Sequence, residues 1–270
     1  MSKKKKRLWT KIILMVMPAL LLILVTAFAG AFAPNDPNAT HATAIRMAPC
    51  AEYPFGTDNL GRCVFSRVLY GGRTTIAATF ALVAASFVIG TLIGMISGYY
   101  GGWVDKIFMR FADIMLAFPQ MVVAIAVAGI LGGGLKGAMI ALGITMWVSF
   151  ARLARSHTFT LKNQAFIKVA LFAGKSDGYI ILVHILPNLL APVLTNALTQ
   201  IGTTMIGISG LSFLGLGVVP PTAEWGSMIN EARAYIQIAP WAVLYPALAT
   251  IVTIIIFNYL GDVVLDYREV

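Results

Sequence analysis

Residues 76–99 read IAATFALVAASFVIGTLIGMISGY, an apolar run without a charged side chain. A hydrocarbon core about 30 Å thick is crossed by about 20 such residues in an α-helix. The run is continuous and does not alternate between apolar and polar positions, which argues against a strand of a membrane β-barrel. Small residues, which let transmembrane helices approach closely, recur at Ala77, Ala78, Ala81, Gly90 and Gly94. The stretch predicts one span of an all-α polytopic membrane protein.

The composition of the whole chain agrees with a membrane protein. Of its 270 residues, 59% are hydrophobic and 11% are charged. Soluble domains are about 45–50% apolar and about 25% charged, and disordered chains are less apolar still, so both classes are excluded. The net charge of +9 would suggest nucleic-acid binding in a soluble protein, but here it indicates basic cytoplasmic loops. We expect the lipid bilayer, and no nucleic acid, as a partner.

Five further apolar runs predict a total of six transmembrane helices. Pro119 lies near the start of the third span, and we expect that span to be broken there. The predicted spans are residues 12–33, 76–99, 114–131, 137–150, 189–217 and 241–260. They divide the chain into a basic tail (1–11), a first span (12–33), an external segment (34–75), a membrane domain (76–262) and a second tail (263–270).

The first span has an alternative interpretation as a secretory signal peptide, because residues 31–33 (AFA) resemble a cleavage site. Its apolar run is longer than the about 7–15 residues typical of that class, and more spans follow it. We therefore expect an uncleaved span.

The basic residues predict an orientation, because cytoplasmic loops are enriched in Lys and Arg. If both termini are cytoplasmic, 14 of the 20 basic residues lie inside and 6 outside. Those outside would be Arg46, Arg62, Arg67, Arg73, Lys136 and Arg233. The opposite orientation would violate the rule, so we expect both termini in the cytoplasm.

The residue patterns of common catalytic and cofactor sites are not found. Residues 174–176 (GKS) end like a phosphate-binding loop, but Val169 stands where that motif needs a glycine. His41, His157 and His184 do not pair with each other or with a cysteine at metal-ligand spacing. We therefore expect no enzymatic activity, no bound cofactor and no metal site in this chain. Energy for any transport must come from another subunit or from an ion gradient.

Residues 164–188 (QAFIKVALFAGKSDGYIILVHILPN) form the most informative polar segment. The pattern predicts a short helix over 166–173, ended by Gly174 as a C-cap. Ser176 or Asp177 would cap a second short helix that runs to about Leu186. The two helices would form a knob that docks in a groove on another protein, or a surface loop without a partner.

This segment resembles the signature of the inner-membrane permease subunits of binding-protein-dependent ABC importers. That signature is E-A-A, three variable residues and Gly, followed downstream by H-x-L-P-N. Here residues 168–170 read KVA, Gly174 follows, and residues 184–188 read HILPN. Lys168 replaces the usual Glu, which puts a salt bridge from that position in doubt.

Further motifs resemble the dipeptide, oligopeptide and nickel subgroup of this family. They are residues 55–62 (FGTDNLGR), residues 211–217 (LSFLGLG), and the segment from Asp105 to Pro119. Residues 221–226 (PTAEWG), 228–230 (MIN) and 232–233 (AR) look most like nickel permeases, although peptide permeases share much of this stretch. The resemblance implies nickel or a nickel chelate as the cargo, with a dipeptide or oligopeptide as the alternative.

The resemblance also implies a fold, a location and partners. The fold would be that of a type I ABC importer permease in the bacterial inner membrane, with 76–262 as its transmembrane domain. The partners would be a second homologous permease, two ATPase subunits that bind ATP and Mg²⁺, and an extracytoplasmic binding protein. The rival interpretations are an ion-coupled carrier, which usually needs an ionisable residue within a span, and a membrane scaffold without a transport role.

The resemblance assigns two sets of site residues. Contacts with the ATPase would come from Phe166, Lys168, Ala170, Gly174, Asp177, His184, Pro187 and Asn188. The pathway wall would include Ser212, Phe213, Gly215 and Gly217, whose glycines have simple helix packing as an equally good explanation.

Cys50 and Cys63 both lie in the predicted external segment. An exported loop meets an oxidising compartment in many bacteria, so we expect a disulfide between them, with two free thiols as the alternative. The family usually has Asp at the position of Cys63, so a bridge would not be inherited with the motif.

Overall fold

The computed structural model describes residues 3–268, so residues 1–2 and 269–270 of the predicted tails lie outside the described residues. Within 3–268 all regular secondary structure is helical, apart from one isolated antiparallel bridge between Thr57 and Cys63. The α-helices are α1 (Lys3–Ala27), α2 (Ala29–Phe32), α3 (Val64–Tyr100), α4 (Gly102–Leu116), α5 (Gln120–Ile130), α6 (Gly134–Lys162), α7 (Ala165–Phe172), α8 (Asp177–Tyr179), α9 (Leu186–Phe213), α10 (Trp225–Ala232) and α11 (Trp241–Arg268). Short 3-10 turns cover Ala42–Ala44 and Arg233–Tyr235, and a π-helical turn covers Ile180–Ile185.

In the described part of the chain, five helical segments are long and apolar enough to cross a membrane. They are Trp9–Ala27, Val64–Tyr100, Gly134–Lys162, Asp177–Phe213 and Trp241–Asp266. A sixth is added if α4 and α5 form one broken span, since the two meet at an angle of 86°. The break lies at Pro119, as the sequence predicts, because proline has no N–H to donate to the preceding turn. The all-α fold with up to six spans is thus confirmed.

Two predicted boundaries differ from the structure. The helix of the second span begins at Val64, so the last part of the predicted external segment (34–75) is helical. The predicted second short helix does not end near Leu186, because helical structure continues from Asp177 to Phe213. Pro187 cannot donate a backbone hydrogen bond, and the preceding residues adopt a π-helical turn in which the Leu186 N–H bonds to the Ile181 carbonyl. A hydropathy argument ends a span at the first charge, whereas a helix ends only where its backbone hydrogen bonds do.

The closest helix pairing is between α3 and α6. Gly90, Gly94 and Gly98 follow one another at intervals of four residues and face the α6 backbone. A Cβ atom on Gly90 would lie 2.3 Å from the Trp147 carbonyl oxygen, and one on Gly94 would lie 2.2 Å from that of Ala151. Without glycine the two backbones could not meet at this distance, and such small-residue interfaces are typical of transmembrane helices.

The remaining helices pack around this pair. α9 packs against α3, α6 and α11, and α1 lies on α11 and α3. The buried core runs through these helices and includes Leu82, Phe150, Ile208 and Leu211. We call the end where α3 and α6 finish the α7 end, and the end where α3 begins and α9 finishes the α10 end.

The glycine interface makes a testable prediction about stability. Gly94→Ala should lower the free energy of unfolding by about 1–3 kcal/mol, because the added methyl group overlaps the α6 backbone. Gly129→Ala on α5 is the matched control, because nothing lies within 4 Å of a Cβ at that position. The control should be neutral, or stabilising by up to about 1 kcal/mol. Thermal unfolding of both purified variants in detergent checks this, and equal midpoints would contradict the close α3–α6 interface.

Candidate functional site

Residues 164–188, which we call the α7 segment, lie at the α7 end of the bundle. Ile167 and Ala170 are buried in the same core cluster as Ile180 and Ile185 of the π-helical turn. The opposite side of α7 is open, and the Phe172 side chain is 92% exposed. Phe166, Val169 and Leu171 are also exposed. A short helix that is anchored on one side and apolar on the other presents a surface that a partner can cover.

Gly174 ends α7 in the way the sequence predicts. Its φ of +72° is in the left-handed region, which residues with a Cβ disfavour. The Gly174 N–H donates to the Leu171 carbonyl at 3.0 Å, and the Lys175 N–H donates to the Ala170 carbonyl at 3.2 Å. This is the Schellman pattern, which stops the helix and turns the chain toward α8. A Cβ at Gly174 would meet no atom within 4 Å, so the backbone conformation alone accounts for glycine here.

Hydrogen bonds connect the α7 segment to the long helices. The Tyr99 hydroxyl near the end of α3 donates to the Asp177 carboxylate at 2.7 Å. Lys162 Nζ at the end of α6 donates to the Tyr99 carbonyl at 2.5 Å. Ser176 caps α8 by accepting from the Tyr179 N–H. The α7 segment is therefore hydrogen-bonded to the end of α3, and Lys162 ties that end of α3 to α6.

The structure brings the predicted ATPase-contact residues together at the α7 end. The rings of Phe166 and His184 lie 6.2 Å apart, and Asn188 Nδ2 donates to the His184 carbonyl at 2.7 Å. Lys168 and Pro187 are exposed, whereas Ala170 is buried. Sequence reasoning missed the contribution of Tyr99 and Lys162, because residues so far from the segment give no local signal.

A lobe of residues 34–63, which we call the external lobe after the predicted location of its segment, covers the α10 end. Phe55 stacks on Tyr245 of α11 with ring centroids 3.8 Å apart. Trp241 Nε1 donates to the Thr57 carbonyl at 3.0 Å, which attaches the lobe to the start of α11. The motif of residues 55–62 thus supplies several of the lobe's contacts with the bundle.

Buried charges hold the lobe to α3 and α10. Arg62 bonds to Asp58 at 2.6 Å and also to Glu231, and Arg67 lies 3.5 Å from Glu231 and 3.7 Å from Asp58. Burial alone lowers the pKa of Arg62, but these two carboxylates raise it by more, so its charge is retained. Buried charges are costly unless they are paired, so this cluster requires the lobe and α10 to stay together.

Glu224 fixes α10 against the membrane helices. Its carboxylate is fully buried and accepts hydrogen bonds from the Gly226 and Ser227 N–H groups at 3.0 and 2.8 Å, as an N-cap does. The Thr75 hydroxyl on α3 donates to the same carboxylate at 3.1 Å. The start of α10 is therefore bound directly to α3.

The structure contradicts the expected disulfide, since both cysteines are free thiols. Cys50 is exposed, whereas Cys63 is 1% exposed and belongs to a small core cluster with Ala44 and Tyr53. The backbone of Cys63 pairs with Thr57 and directly precedes α3, which directs its side chain into the lobe. Because sequence gives no Cα separation, this arrangement was not predictable.

The predicted pathway residues form the turn that ends α9. Gly215 has a φ of +81°, its N–H donates to the Ser212 carbonyl at 3.0 Å, and the Leu216 N–H donates to the Leu211 carbonyl at 2.9 Å. Ser212 is buried, and a Cβ on Gly217 would lie 2.6 Å from the Ser212 Cα atom. Phe213 is partly exposed, with the Arg233 guanidinium 5.6 Å from its ring centroid. Chain reversal and close packing thus account for both glycines, and a pathway role for these residues stays a prediction.

Sequence reasoning missed a cleft of about 490 Å³ between the α4–α5 break, α6 and α9. Gln200 Nε2 on α9 donates to Ser149 Oγ on α6 at 2.9 Å, and the Thr203 hydroxyl donates to Gln200 Oε1 at 3.0 Å. Gln120, Thr145 and Thr204 add polar groups, and Arg152 lies at its α7-end mouth. These polar residues are spread over three separate parts of the chain, so only the folded chain shows that they share one face.

Comparison with known proteins identifies the class to which this fold belongs. Residues 90–269 match the family described as "Binding-protein-dependent transport system inner membrane component". The chain belongs to this family, and it is a permease subunit of an ABC importer, a multi-pass protein of the bacterial inner membrane.

Individual relatives agree with this assignment. The chain is 41% identical over 240 residues to the dipeptide transport system permease protein DppC of Alkalihalophilus pseudofirmus, covering 89% of this chain and 79% of the relative. It is 45% identical over 244 residues to the glutathione transport system permease protein GsiD of Escherichia coli O157:H7, covering 90% and 80%. Among solved structures, an inward-facing MetNI methionine ABC transporter chain is similar with a TM-score of 0.60 at 17% identity, covering 75% of this chain and 95% of the other. This last similarity supports the fold alone.

The end of α7 can be tested with two glycines of one segment. Gly174→Val should destabilise the turn after α7 by about 1–2 kcal/mol, because valine disfavours the left-handed conformation. Gly178→Val is the matched control, since neither position has a neighbour within 4 Å of a Cβ and only Gly174 has a positive φ. Hydrogen exchange of the amides in residues 170–176 should accelerate only in the Gly174 variant. Equal exchange in both variants would show that the turn does not depend on glycine.

The two thiols should differ in reactivity. A maleimide applied to the native protein without reductant should label Cys50 quickly, and Cys63 only after unfolding, because Cys63 is buried. Cys50→Ser should abolish the fast reaction. Peptide mass spectrometry measures both, and failure to label either residue in unfolded, unreduced protein would restore the disulfide.

Proposed function

We propose that this chain lines the pathway of an ATP-driven importer of small peptides, together with a second homologous permease. The observation that carries the proposal is the α7 segment, which exposes the Phe172 side chain almost completely while a hydrogen bond from Tyr99 ties it to the end of α3. Exposed apolar surface of this kind indicates a protein partner. We assign that partner as one of two ATPase subunits, which bind ATP and Mg²⁺.

The charge distribution supports a cytoplasmic position for the α7 end. Lys162, Lys168 and Lys175 lie there, along with Arg155, and basic residues are enriched on the cytoplasmic side of membrane proteins. Both termini would then be cytoplasmic. The α10 end and the external lobe would face the binding protein that delivers the cargo.

The polar cleft supports a position for the pathway. Its hydroxyl and amide groups lie on largely apolar helices, and in the single chain Ser149 and Thr203 are exposed and Gln200 is half-buried. Polar groups on a span face either a helix partner or a water-filled path. We place the second permease across this cleft, so that the two chains enclose the cargo between them.

The relatives change the preferred cargo. The sequence motifs favour nickel over peptides, but the similar proteins carry the names of dipeptide and glutathione transporters. Both names refer to small peptides, and the cleft offers hydroxyl and amide groups that suit a peptide backbone. A small peptide is therefore our proposed cargo, which was the alternative on the sequence evidence alone.

Reconstitution of the complete importer tests this function. Proteoliposomes that hold both permeases and the ATPases should take up labelled dialanine only with ATP and the loaded binding protein. Phe172→Ser should reduce uptake and cargo-stimulated ATP hydrolysis at least about tenfold, as removal of an aromatic interface anchor does. Ile130→Ser is the control. Ile130 is similarly exposed, but it is the last residue of α5 and lies at the opposite end of the bundle from α7. Uptake of labelled nickel without uptake of any peptide would overturn the proposed cargo.

A further inference from the structure

Two ion pairs join α4 to α6, and they differ in construction. Arg155 bonds to Asp105 through two nitrogens, and the Ser97 hydroxyl of α3 donates to the same carboxylate at 2.5 Å. Arg152 makes a single bond of 2.7 Å to Asp113, and the two side chains are 49% and 55% exposed. The first pair has two bonds and a third helix at its carboxylate, and Asp105 is 19% exposed although Arg155 is 41% exposed. The second pair has one bond, and its carboxylate is the more exposed of the two.

The second pair lies at the polar cleft. Arg152 is the one charged side chain among the described residues that line the cleft, and Asp113 is next to it on the adjoining face of α4. The neighbouring polar side chains, Ser149 and Gln200, are neutral. Ionisable groups on membrane helices are costly and usually mark a path for charged groups, so a pair left half-exposed calls for an explanation beyond packing.

We infer that Asp113 and Arg152 form an exchangeable ion pair that binds the two charges of a zwitterionic cargo as it leaves the cleft. The inference rests on the proposed function. The cargo carboxylate takes the place of Asp113 on Arg152, and the cargo ammonium group pairs with Asp113. The exchange breaks one ion pair within the protein and forms two with the cargo, and because the cargo carries one charge of each sign the net charge of the mouth does not change. An exposed single-bond pair contributes little net stability, so the exchange meets a small barrier.

This arrangement selects for a cargo with one positive and one negative end. A peptide with free termini satisfies both partners, because guanidinium and carboxylate form strong charge-assisted bonds. A peptide with a blocked carboxyl group leaves Asp113 on Arg152 and gains no contact there. The alternative is that the pair only ties α4 to α6, as the Asp105–Arg155 pair does.

Uptake by the full importer separates these two roles. The cargoes are dialanine, dialanine amide and N-acetyl-dialanine, each loaded on the binding protein and its loading verified by mass spectrometry. Arg152→Gln should lower uptake of dialanine relative to the amide about fivefold, which is the upper range for one exposed ion pair. Asp113→Asn should lower uptake of dialanine relative to the acetylated peptide to a similar extent. Arg155→Gln is the matched control and should leave these ratios unchanged.

The outcomes are distinct. Equal loss of all cargoes, or no change, in the Arg152 and Asp113 variants overturns the exchange. If either single variant fails to assemble, the double variant Asp113→Asn/Arg152→Gln takes its place, because it leaves no unpaired charge. The double variant should take up the three peptides equally. A retained preference for dialanine overturns the inference. If the binding protein does not load one of the peptides, saturation-transfer NMR measures binding of dialanine to the complete importer without the binding protein. An undiminished signal with Arg152→Gln also overturns the inference. Absence of uptake of any peptide by the wild type refutes the proposed function itself.

Discussion

The approach of α3 to α6 at Gly90, Gly94 and Gly98 is the constraint on which the rest of the structure depends. Lipid chains are as apolar as leucine, so membrane helices associate through close packing and not through the hydrophobic effect. Because the two backbones touch, α4 can reach both helices at once, and Asp105 bonds to Arg155 on one and Ser97 on the other. The α7 segment bonds to the end of α3 at Tyr99, and Lys162 joins that residue to the end of α6. The α3–α6 pair thus positions the contacts at both ends of the bundle.

The polar contacts at the two ends differ in how they respond to a loss of one partner. At the α10 end, Arg62, Arg67, Asp58 and Glu231 are mostly withdrawn from water, so removal of any one leaves an uncompensated charge. At the α7 end, the buried Tyr99 bonds to Asp177, whose side chain is exposed. The external lobe is therefore attached by several buried charges, whereas this contact of the α7 segment is a single hydrogen bond to an exposed carboxylate.

Sequence reasoning predicted features that depend on local chemistry and missed those that depend on distant neighbours. The spans, the break at Pro119 and the cap at Gly174 follow from hydropathy, the missing proline N–H and the left-handed φ. The free Cys63, the cleft around Gln200 and the role of Tyr99 depend on which helices meet, and no local pattern encodes that. The sequence allowed two explanations for the glycines of residues 211–217. In the structure they lie in the turn that ends α9 and pack closely there. Nickel was favoured over peptides on the basis of short motifs. Motifs that are shared within a subgroup do not report which cargo a member carries.

The unbroken helical stretch from Asp177 to Phe213 has a mechanical consequence. At 1.5 Å per residue its 37 residues form a strut about 55 Å long, with α7 beside one tip and the turn before α10 at the other. Tilting a strut of that length by about 5° displaces its tips by about 5 Å relative to each other, although no residue along it changes its backbone angles. A tilt of this kind carries a displacement at one end of the bundle to the other end. The strut has two compliant points, the π-helical turn before Pro187 and the missing hydrogen bond at Pro192, and both lie in the half that begins beside α7.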